Sequence, residues 1–337
     1  MKISTKINKK EVMIREVIKQ IKKDFGIYAD PFKIHEPIPE LLASVWAACR
    51  ETELVGILPR SIKELIAVHV SKSNSCTYCV DAHEMLLYSV GKKELVELET
   101  QDETLNTEEV LFAKWARLSR NPKDSIVEYP LFTMKQASEA IGIVVYFHYL
   151  NRMVHLFLED TLIPLRQSKF KSLLQSLAGF AFSRRIKKEK KIGDSLHFLP
   201  ANTLPSDMQW AISQSHIATA FAQFNSSINQ LKNHYIPISV QQVMEKFWSE
   251  WNGEEAPLGF AWMEKYLHSV DSQHQDILKL SILLTMSPYR VTKDIVKEFE
   301  VNHEDSKLLL ATAAWASFNA AKRIGSWLDK SYKKSHK

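Results

Sequence analysis

The segment SKSNSCTYCVDAH, residues 71–83, places two of the chain's three cysteines and a histidine close together. On an α-helix, Cys76, Cys79 and His83 fall within an arc of roughly 60°, so both sulfurs and the imidazole face the same way. We expect Cys76 to lie in the first helical turn, where unpaired N–H groups and the helix dipole favour a thiolate. The spacing predicts a dithiol that can close to a disulfide, with His83 able to carry its proton.

Two other interpretations of this segment remain open. Cys76, Cys79 and His83 are also three potential zinc ligands, and His69 is the only nearby residue that would supply a fourth. Alternatively, the cysteines are small hydrophobic residues of a buried helix. Cys49 lies on the apolar stripe of an earlier helix, and we interpret it as a core residue.

Glu64 is an acid within SIKELIAVHV, a predicted helix that is otherwise apolar on its buried side. It precedes Cys76 by twelve residues, and a break around residues 71–75 would let its helix fold back against the cysteine helix. Its carboxylate would then hold or recharge His83, directly or through water.

Three further polar residues, His148, Arg152 and His155, share one face of a long apolar helix. Two interpretations are equally compatible with this pattern. The residues either line a pocket beside the dithiol or pair with acids at a subunit contact.

Helical periodicity accounts for the elements that carry these residues. Helices are predicted over 38–56, 58–70, 76–91, 107–122 and 133–159, from apolar residues at 3.6-residue spacing. Asn74 or Ser75 is the expected N-cap of the cysteine helix, and Gly91 its stop. Alternation with period two, bounded by turns, is hard to find, so the sequence predicts an all-α fold.

Composition limits the classes of protein to consider. The chain has 337 residues, 45% of them hydrophobic and 25% charged, which is typical of a soluble protein with about two domains. We find no secretory signal and no apolar run of about 18 residues, so we predict a cytoplasmic protein with reduced thiols. The net charge of +5 is mild, and much of the excess lies in SRRIKKEKK at 183–191. We interpret that run as a solvated connector rather than a contact for nucleic acid or membrane lipid.

The second half of the chain repeats the first at low similarity. Residues 40–65 align with residues 216–243, so that Pro59 and Pro237 each open a helix, and Asn151 later aligns with Asn319. The second copy lacks the cysteines. We therefore predict an N-terminal repeat at 1–165 that carries the CxxC site, a basic linker region at 166–205 and a degenerate C-terminal repeat at 206–330.

Glu64, eleven residues, Cys76-Thr-Tyr-Cys79, three residues and His83 together resemble the E-x11-C-x2-C-x3-H signature of the alkylhydroperoxidase D-like, or carboxymuconolactone decarboxylase, superfamily. The segment FHYLNRM, residues 147–153, also resembles long two-repeat members. The resemblance implies an alkylhydroperoxidase D-like helical bundle, here a tandem duplication, and reduction of hydroperoxides by a cysteine pair.

The resemblance also implies residue roles. Cys79 would attack the peroxide, Cys76 would resolve the sulfenic acid to a disulfide, and Glu64 with His83 would form the proton relay. Tyr78 stands where the best-studied family pattern has a histidine. A tyrosine can donate a hydrogen bond to peroxide or thiolate, but it is a poor base at neutral pH.

The implied partners are a hydroperoxide substrate and an external dithiol reductant, a lipoylated or thioredoxin-like protein. No metal, flavin or haem cofactor is implied, and we expect a homo-oligomer, a dimer or trimer, without nucleic-acid or membrane partners. Two rival functions remain: a carboxymuconolactone decarboxylase-type lyase acting on a ring lactone, and a non-catalytic redox sensor whose disulfide gates a partner surface.

Overall fold

The computed structural model describes residues 9–96, 107–130, 132–158 and 188–335. Within these ranges every regular element is a helix and no strand occurs, which confirms the predicted all-α fold. The α-helices are α1 (Lys9–Asp24), α2 (Asp30–Lys33), α3 (Pro39–Cys49), α4 (Arg60–Ser73), α5 (Thr77–Ser89), α6 (Glu108–Leu118), α7 (Ser125–Glu128), α8 (Met134–Phe157), α9 (Ser215–Tyr235), α10 (Ile238–Glu250), α11 (Glu264–Leu267), α12 (Gln275–Met286), α13 (Lys293–Asn302) and α14 (Ser306–Ser335).

Shorter helical turns complete the description. A π-helix, Arg50–Leu54, continues directly from α3. The 3-10 turns are Lys93–Leu95, Leu196–Phe198, Ser206–Ala211, Ala261–Met263, Ser272–His274 and Pro288–Arg290.

The long central helix α8 begins where its sequence provides a cap. The Thr133 hydroxyl accepts a hydrogen bond from the Gln136 backbone N–H, and the Gln136 side chain in turn accepts from the Thr133 backbone N–H. This capping box satisfies two otherwise unpaired donors. The helix lies close to the predicted span of 133–159, and its residues from Ala137 to Val154 are buried.

The start of α5 differs from the expectation that Asn74 or Ser75 would be its N-cap. Cys76 itself precedes the first helical residue, and Cys79 is the third residue of the helix. The Asn74 side chain bonds to α8 instead, since its amide nitrogen donates to Asn151 Oδ1 at 2.9 Å. Ser75 adopts φ +56°, a left-handed turn conformation, which reverses the chain between α4 and α5. At the other end, Gly91 has φ +78°, as expected of a helix stop.

The two halves of the chain are packed into one core. Helix α8 packs along α14, and α3 packs on α9, so each half buries its apolar face against the other. Pro59 precedes α4 and Pro237 precedes α10 in the same way, with similar backbone angles. The division into two repeats nevertheless stays a prediction.

The predicted basic linker is described only in part. Arg184, Arg185 and Lys187 lie outside the described residues, whereas Lys188 and Lys191 are exposed and Lys190 is partly buried. Immediately after it the chain is held against the π-helix, because the Gly193 N–H and the Ser195 hydroxyl both donate to the Glu51 carboxylate, at 2.8 and 2.7 Å. None of the described helices combines the length and apolar character needed to cross a membrane.

Candidate active site

Helices α4 and α5 pack as a hairpin that brings Glu64 against His83. Glu64 Oε2 lies 2.5 Å from His83 Nδ1, a direct contact without an intervening water. Arg60, one turn before Glu64 on α4, donates from Nε to Glu64 Oε1 at 2.5 Å. Residues four apart on a helix are neighbours, so this pair follows from the local sequence.

The charge state of Glu64 follows from these contacts. Burial alone would raise the pKa of its carboxyl, but the Arg60 guanidinium and the His83 ring outweigh burial and hold the pKa below its usual value. The group is therefore a carboxylate at neutral pH. A carboxylate is an acceptor, so His83 donates from Nδ1, and its Nε2 is the nitrogen that can take up a proton.

The two cysteines of the motif are free thiols that lie side by side, and each is only 2% exposed. Burial raises the pKa of the Cys79 thiol, and the neighbouring Cys76 raises it further, whereas a hydrogen bond from Asn151 acts in the opposite direction. Cys79 is consequently a protonated thiol in the reduced protein at neutral pH. Its reaction as a nucleophile requires a base.

Beside this pair lies a cavity of about 310 Å³ between α2, α5 and α8. Cys79 and His83 line it, together with Tyr78, whereas Cys76 does not. The apolar side chains in its wall are those of Phe25, Ile27, Phe32, Met85, Leu86, Phe147 and Leu150. A molecule inside the cavity therefore meets Cys79 and not Cys76.

Tyr78 and Cys49 also face this cavity. Burial and the nearby Asp30 carboxylate raise the pKa of Tyr78, so its hydroxyl stays protonated and can donate a hydrogen bond. Cys49 is buried, as expected of a core residue, and it also forms part of the cavity wall. Burial raises the pKa of the Cys49 thiol as well, which leaves it unreactive at neutral pH.

His148, Arg152 and His155 are not part of the wall of this cavity, and their pairing with acids at a subunit contact stays a prediction. The Arg152 guanidinium donates to the carbonyl oxygens of His148, Leu284 and Thr285, at 2.6, 2.8 and 3.0 Å. His155 Nε2 lies 2.9 Å from the Asn74 carbonyl oxygen. Arg152 and His155 thus connect α8 to backbone carbonyls, whereas the His148 ring bonds to the side chains of Ser119 and Asn74, at 2.9 and 3.0 Å.

Within the described residues no group of His, Cys, Asp or Glu side chains converges to hold a metal ion. His69, the suggested fourth ligand of a zinc site, is 1% exposed. Neither of its ring nitrogens has a hydrogen-bond partner among the residues that the structure describes.

Sequence reasoning missed three residues of the site. Arg60 had a usable signal, because an arginine four residues before a buried glutamate is in position to pair with it. Asn151 appeared only as a landmark of the repeat, and its contact with Cys79 comes from packing of α8 on α5. Glu53 lies in the segment RETEL, where nothing distinguishes it from an exposed helical glutamate, yet it is 2% exposed and lines the cavity.

Comparison with known proteins gives two results. The sequence profile of the carboxymuconolactone decarboxylase family matches residues 39–113, which span α3 to the middle of α6 and include Glu64, both motif cysteines and His83. The chain is also 30% identical, over 317 residues, to an alkyl hydroperoxide reductase of Mycobacterium tuberculosis. That alignment covers 94% of this chain and 90% of the relative.

Proposed function

Since this chain belongs to the carboxymuconolactone decarboxylase, or alkylhydroperoxidase D-like, family, we propose that it is a thiol-dependent hydroperoxide reductase. The observation that carries the proposal is a dithiol with one sulfur on the wall of an apolar cavity, next to a histidine held by a buried carboxylate. The relative's name supports the same reaction.

The first step is proton removal from Cys79. His83 Nε2 takes the proton, and the Glu64 carboxylate stabilises the resulting imidazolium through Nδ1. Such a base is needed because burial disfavours the free thiolate. The thiolate sulfur bonds to the terminal peroxide oxygen, the O–O bond breaks, and the departing RO group takes up one proton, so the products are Cys79 sulfenic acid and an alcohol.

The second step forms the disulfide. The Cys76 thiol attacks the sulfur of the sulfenic acid, water leaves, and a Cys76–Cys79 bond results. The position of Cys76 beside Cys79 but away from the cavity supports its role as the resolving thiol. An external dithiol, such as a lipoylated or thioredoxin-like protein, would then reduce the pair.

Thiol titration tests this proposal. One equivalent of cumene hydroperoxide is expected to remove two of the three thiols per chain and to produce a disulfide within the 71–91 peptide, detected by mass spectrometry without reductant. Unchanged thiols would rule out the reductase and leave the lyase interpretation.

Matched serine variants separate the roles of the two cysteines. Cys76→Ser should accumulate a sulfenic acid at Cys79 that dimedone labels, because the resolving thiol is missing. Cys79→Ser should form neither that adduct nor an intramolecular disulfide. Dimedone labelling at Cys76 instead would reverse the assignment.

A further inference from the structure

A second buried carboxyl group, that of Glu53, shares the cavity with Cys79 and His83. Glu53 belongs to the π-helix, and its side chain is 2% exposed. Neither of its carboxyl oxygens has a hydrogen-bond partner among the described residues. An ionised carboxylate buried in this way would lack most of the interactions that normally stabilise it.

Arg60 is close to both glutamates but interacts with them unequally. Its Nε donates to Glu64 Oε1 at 2.5 Å, and its Nη2 also contacts that oxygen, whereas the nearest oxygen of the Glu53 carboxyl is 3.7 Å from Nη2. What Glu53 receives from the guanidinium is a hydrogen bond to its backbone carbonyl, at 2.6 Å. The guanidinium therefore neutralises Glu64 and leaves Glu53 largely uncompensated.

On balance, the surroundings of Glu53 raise the pKa of its carboxyl group. Burial raises the pKa of Glu53, and the negative charge of Glu64 raises it further, against the opposing influence of Arg60, His83 and Lys63. Two carboxyl groups that share one cation are pushed to different charge states, and such pairs commonly divide the acid and base roles. Glu64 is the ionised member, and the raised pKa of Glu53 favours its protonated form.

The geometry points to Glu53 as the acid that protonates the leaving alkoxide when Cys79 attacks a hydroperoxide. The inference rests on the proposed function, and it adds a proton donor to the proton acceptor that Glu64 and His83 provide. A π-helical turn is a frequent device for placing a side chain in a functional site, which agrees with the position of Glu53.

The reaction balances as follows. His83 receives the Cys79 proton, the thiolate sulfur bonds to the terminal peroxide oxygen, and the electron pair of the broken O–O bond goes to the departing RO group. Glu53 gives its proton to that group, so ROH leaves, and Cys79–SH plus ROOH has become Cys79–SOH plus ROH. The step leaves His83 as an imidazolium and Glu53 as a carboxylate. Transfer of one proton from His83 to Glu53 then restores the starting protonation state of each side chain.

The test varies how much the leaving group needs an acid. Cumene hydroperoxide releases a strongly basic alkoxide, whereas peroxyacetic acid releases acetate, a weak base that departs without protonation. Glu53→Gln keeps the shape of the side chain but cannot donate a carboxylic proton. We expect it to slow oxidation of Cys79 by cumene hydroperoxide about 100-fold or more, and oxidation by peroxyacetic acid less than about threefold.

Controls separate a chemical role from a structural one. Glu53→Asp keeps an acidic proton and should retain more activity toward cumene hydroperoxide than Glu53→Gln. Glu84→Gln, next to His83 but outside the cavity wall, should leave both rates unchanged. Because a neutral amide replaces a neutral acid, the melting temperature of Glu53→Gln should equal or exceed that of the wild type.

Several outcomes would overturn the assignment. If Glu53→Gln slows Cys79 oxidation equally with both oxidants, or with neither, Glu53 is not the proton donor. A clear drop in melting temperature for Glu53→Gln would show that Glu53 is an ionised partner of Arg60. If the wild type reacts with neither oxidant, the proposed reductase function itself fails, which is a different result from the other three.

Discussion

Cys79 is a buried thiol with a raised pKa, close to a second thiol and to the amide of Asn151. Of these surroundings, only the hydrogen bond from Asn151 favours the charged form, because it stabilises negative charge on sulfur. The charge state of this one atom determines how the site reacts.

We therefore predict that Cys79 titrates above the value of about 8.5 typical of a free cysteine. The measurement is the ultraviolet thiolate absorbance of the reduced protein as a function of pH, with Cys79→Ser subtracted to assign the signal. Asn151→Ala should move the transition to still higher pH, since the thiolate loses a hydrogen bond. A Cys79 thiolate already present at neutral pH would contradict the prediction and make the His83 base unnecessary.

The residues of this site differ in how well the sequence revealed them. Glu64, Cys76, Cys79 and His83 stood out because helical spacing and an unusual acid on an apolar face are local signals. Glu53 did not, because its burial depends on long-range packing of α8 and of residues 193–195 around the π-helix. A local pattern predicts which residues share a helix face, and it does not predict what covers that face.

At the level of the element, the π-helix is the main departure from the predicted structure. The sequence predicted one continuous helix over 38–56, whereas α3 ends at Cys49 and the chain widens into a π-turn. Two side chains of α4 bond to carbonyl oxygens at the end of the π-helix. Lys63 Nζ bonds to the carbonyl oxygens of Thr52 and Val55, and Arg60 bonds to that of Glu53. Tertiary hydrogen bonds thus stabilise a conformation that local propensity disfavours.

The turn that follows the π-helix depends on Gly56. Its φ of +113° is a conformation that residues with a Cβ rarely adopt. The fully buried Glu139 carboxylate accepts from the backbone N–H groups of Ile57 and Leu58, at 2.7 and 3.0 Å, and pairs with Lys63 Nζ at 2.9 Å. A Cβ on Gly56 would lie 2.5 Å from that carboxylate.

Gly56→Ala should therefore destabilise the protein by about 3 kcal/mol, from unfavourable φ and from steric overlap with Glu139 together. Gly91→Ala is the matched control, because Gly91 also has a positive φ but a Cβ there meets no atom within 4 Å. It should cost only about 1–2 kcal/mol. Urea denaturation of both variants measures the difference, and equal losses would show that Glu139 yields without cost.

Across the whole molecule, arginines of the first half bond to the end of a helix in the second. The last four carbonyl groups of a helix lack partners within it, and here they belong to Leu283, Leu284, Thr285 and Met286 of α12. Arg152 donates to the second and third of these oxygens, and the Arg120 guanidinium donates to the Met286 oxygen at 2.9 Å. The Ser287 N–H donates to the Leu283 oxygen at 2.8 Å.

This arrangement explains how the chain buries two arginines that donate to backbone carbonyl oxygens. Burial, followed by repulsion from Arg120, lowers the pKa of Arg152. The negative end of the α12 dipole and the carbonyl oxygens compensate for part of that cost. Neither partner could be predicted from the sequence, because residues 152 and 284 meet only when the two halves pack together.

Arg152→Lys tests how far this junction depends on the planar guanidinium. Lysine keeps a positive charge but presents one nitrogen in place of a fork, so it cannot reach the carbonyl oxygens of His148, Leu284 and Thr285 together. At least one buried carbonyl then loses its partner, and we expect a loss of about 1–3 kcal/mol in the free energy of unfolding.

Arg323→Lys provides the matched control for this substitution. Arg323 donates to the carbonyl oxygen of Ser249, in the last turn of α10, and to that of Trp251, just after the helix. It is only partly buried. Water can replace the lost hydrogen bonds there, so the control should lose less than about 1 kcal/mol.

Because Asn151 lies next to Arg152 on α8 and bonds to Cys79, the Arg152 variant should also slow dimedone labelling of Cys79 in the Cys76→Ser background. Equal stability losses at the two arginines, with labelling unchanged, would show that the interface between the halves neither depends on the buried fork nor supports the cysteine site.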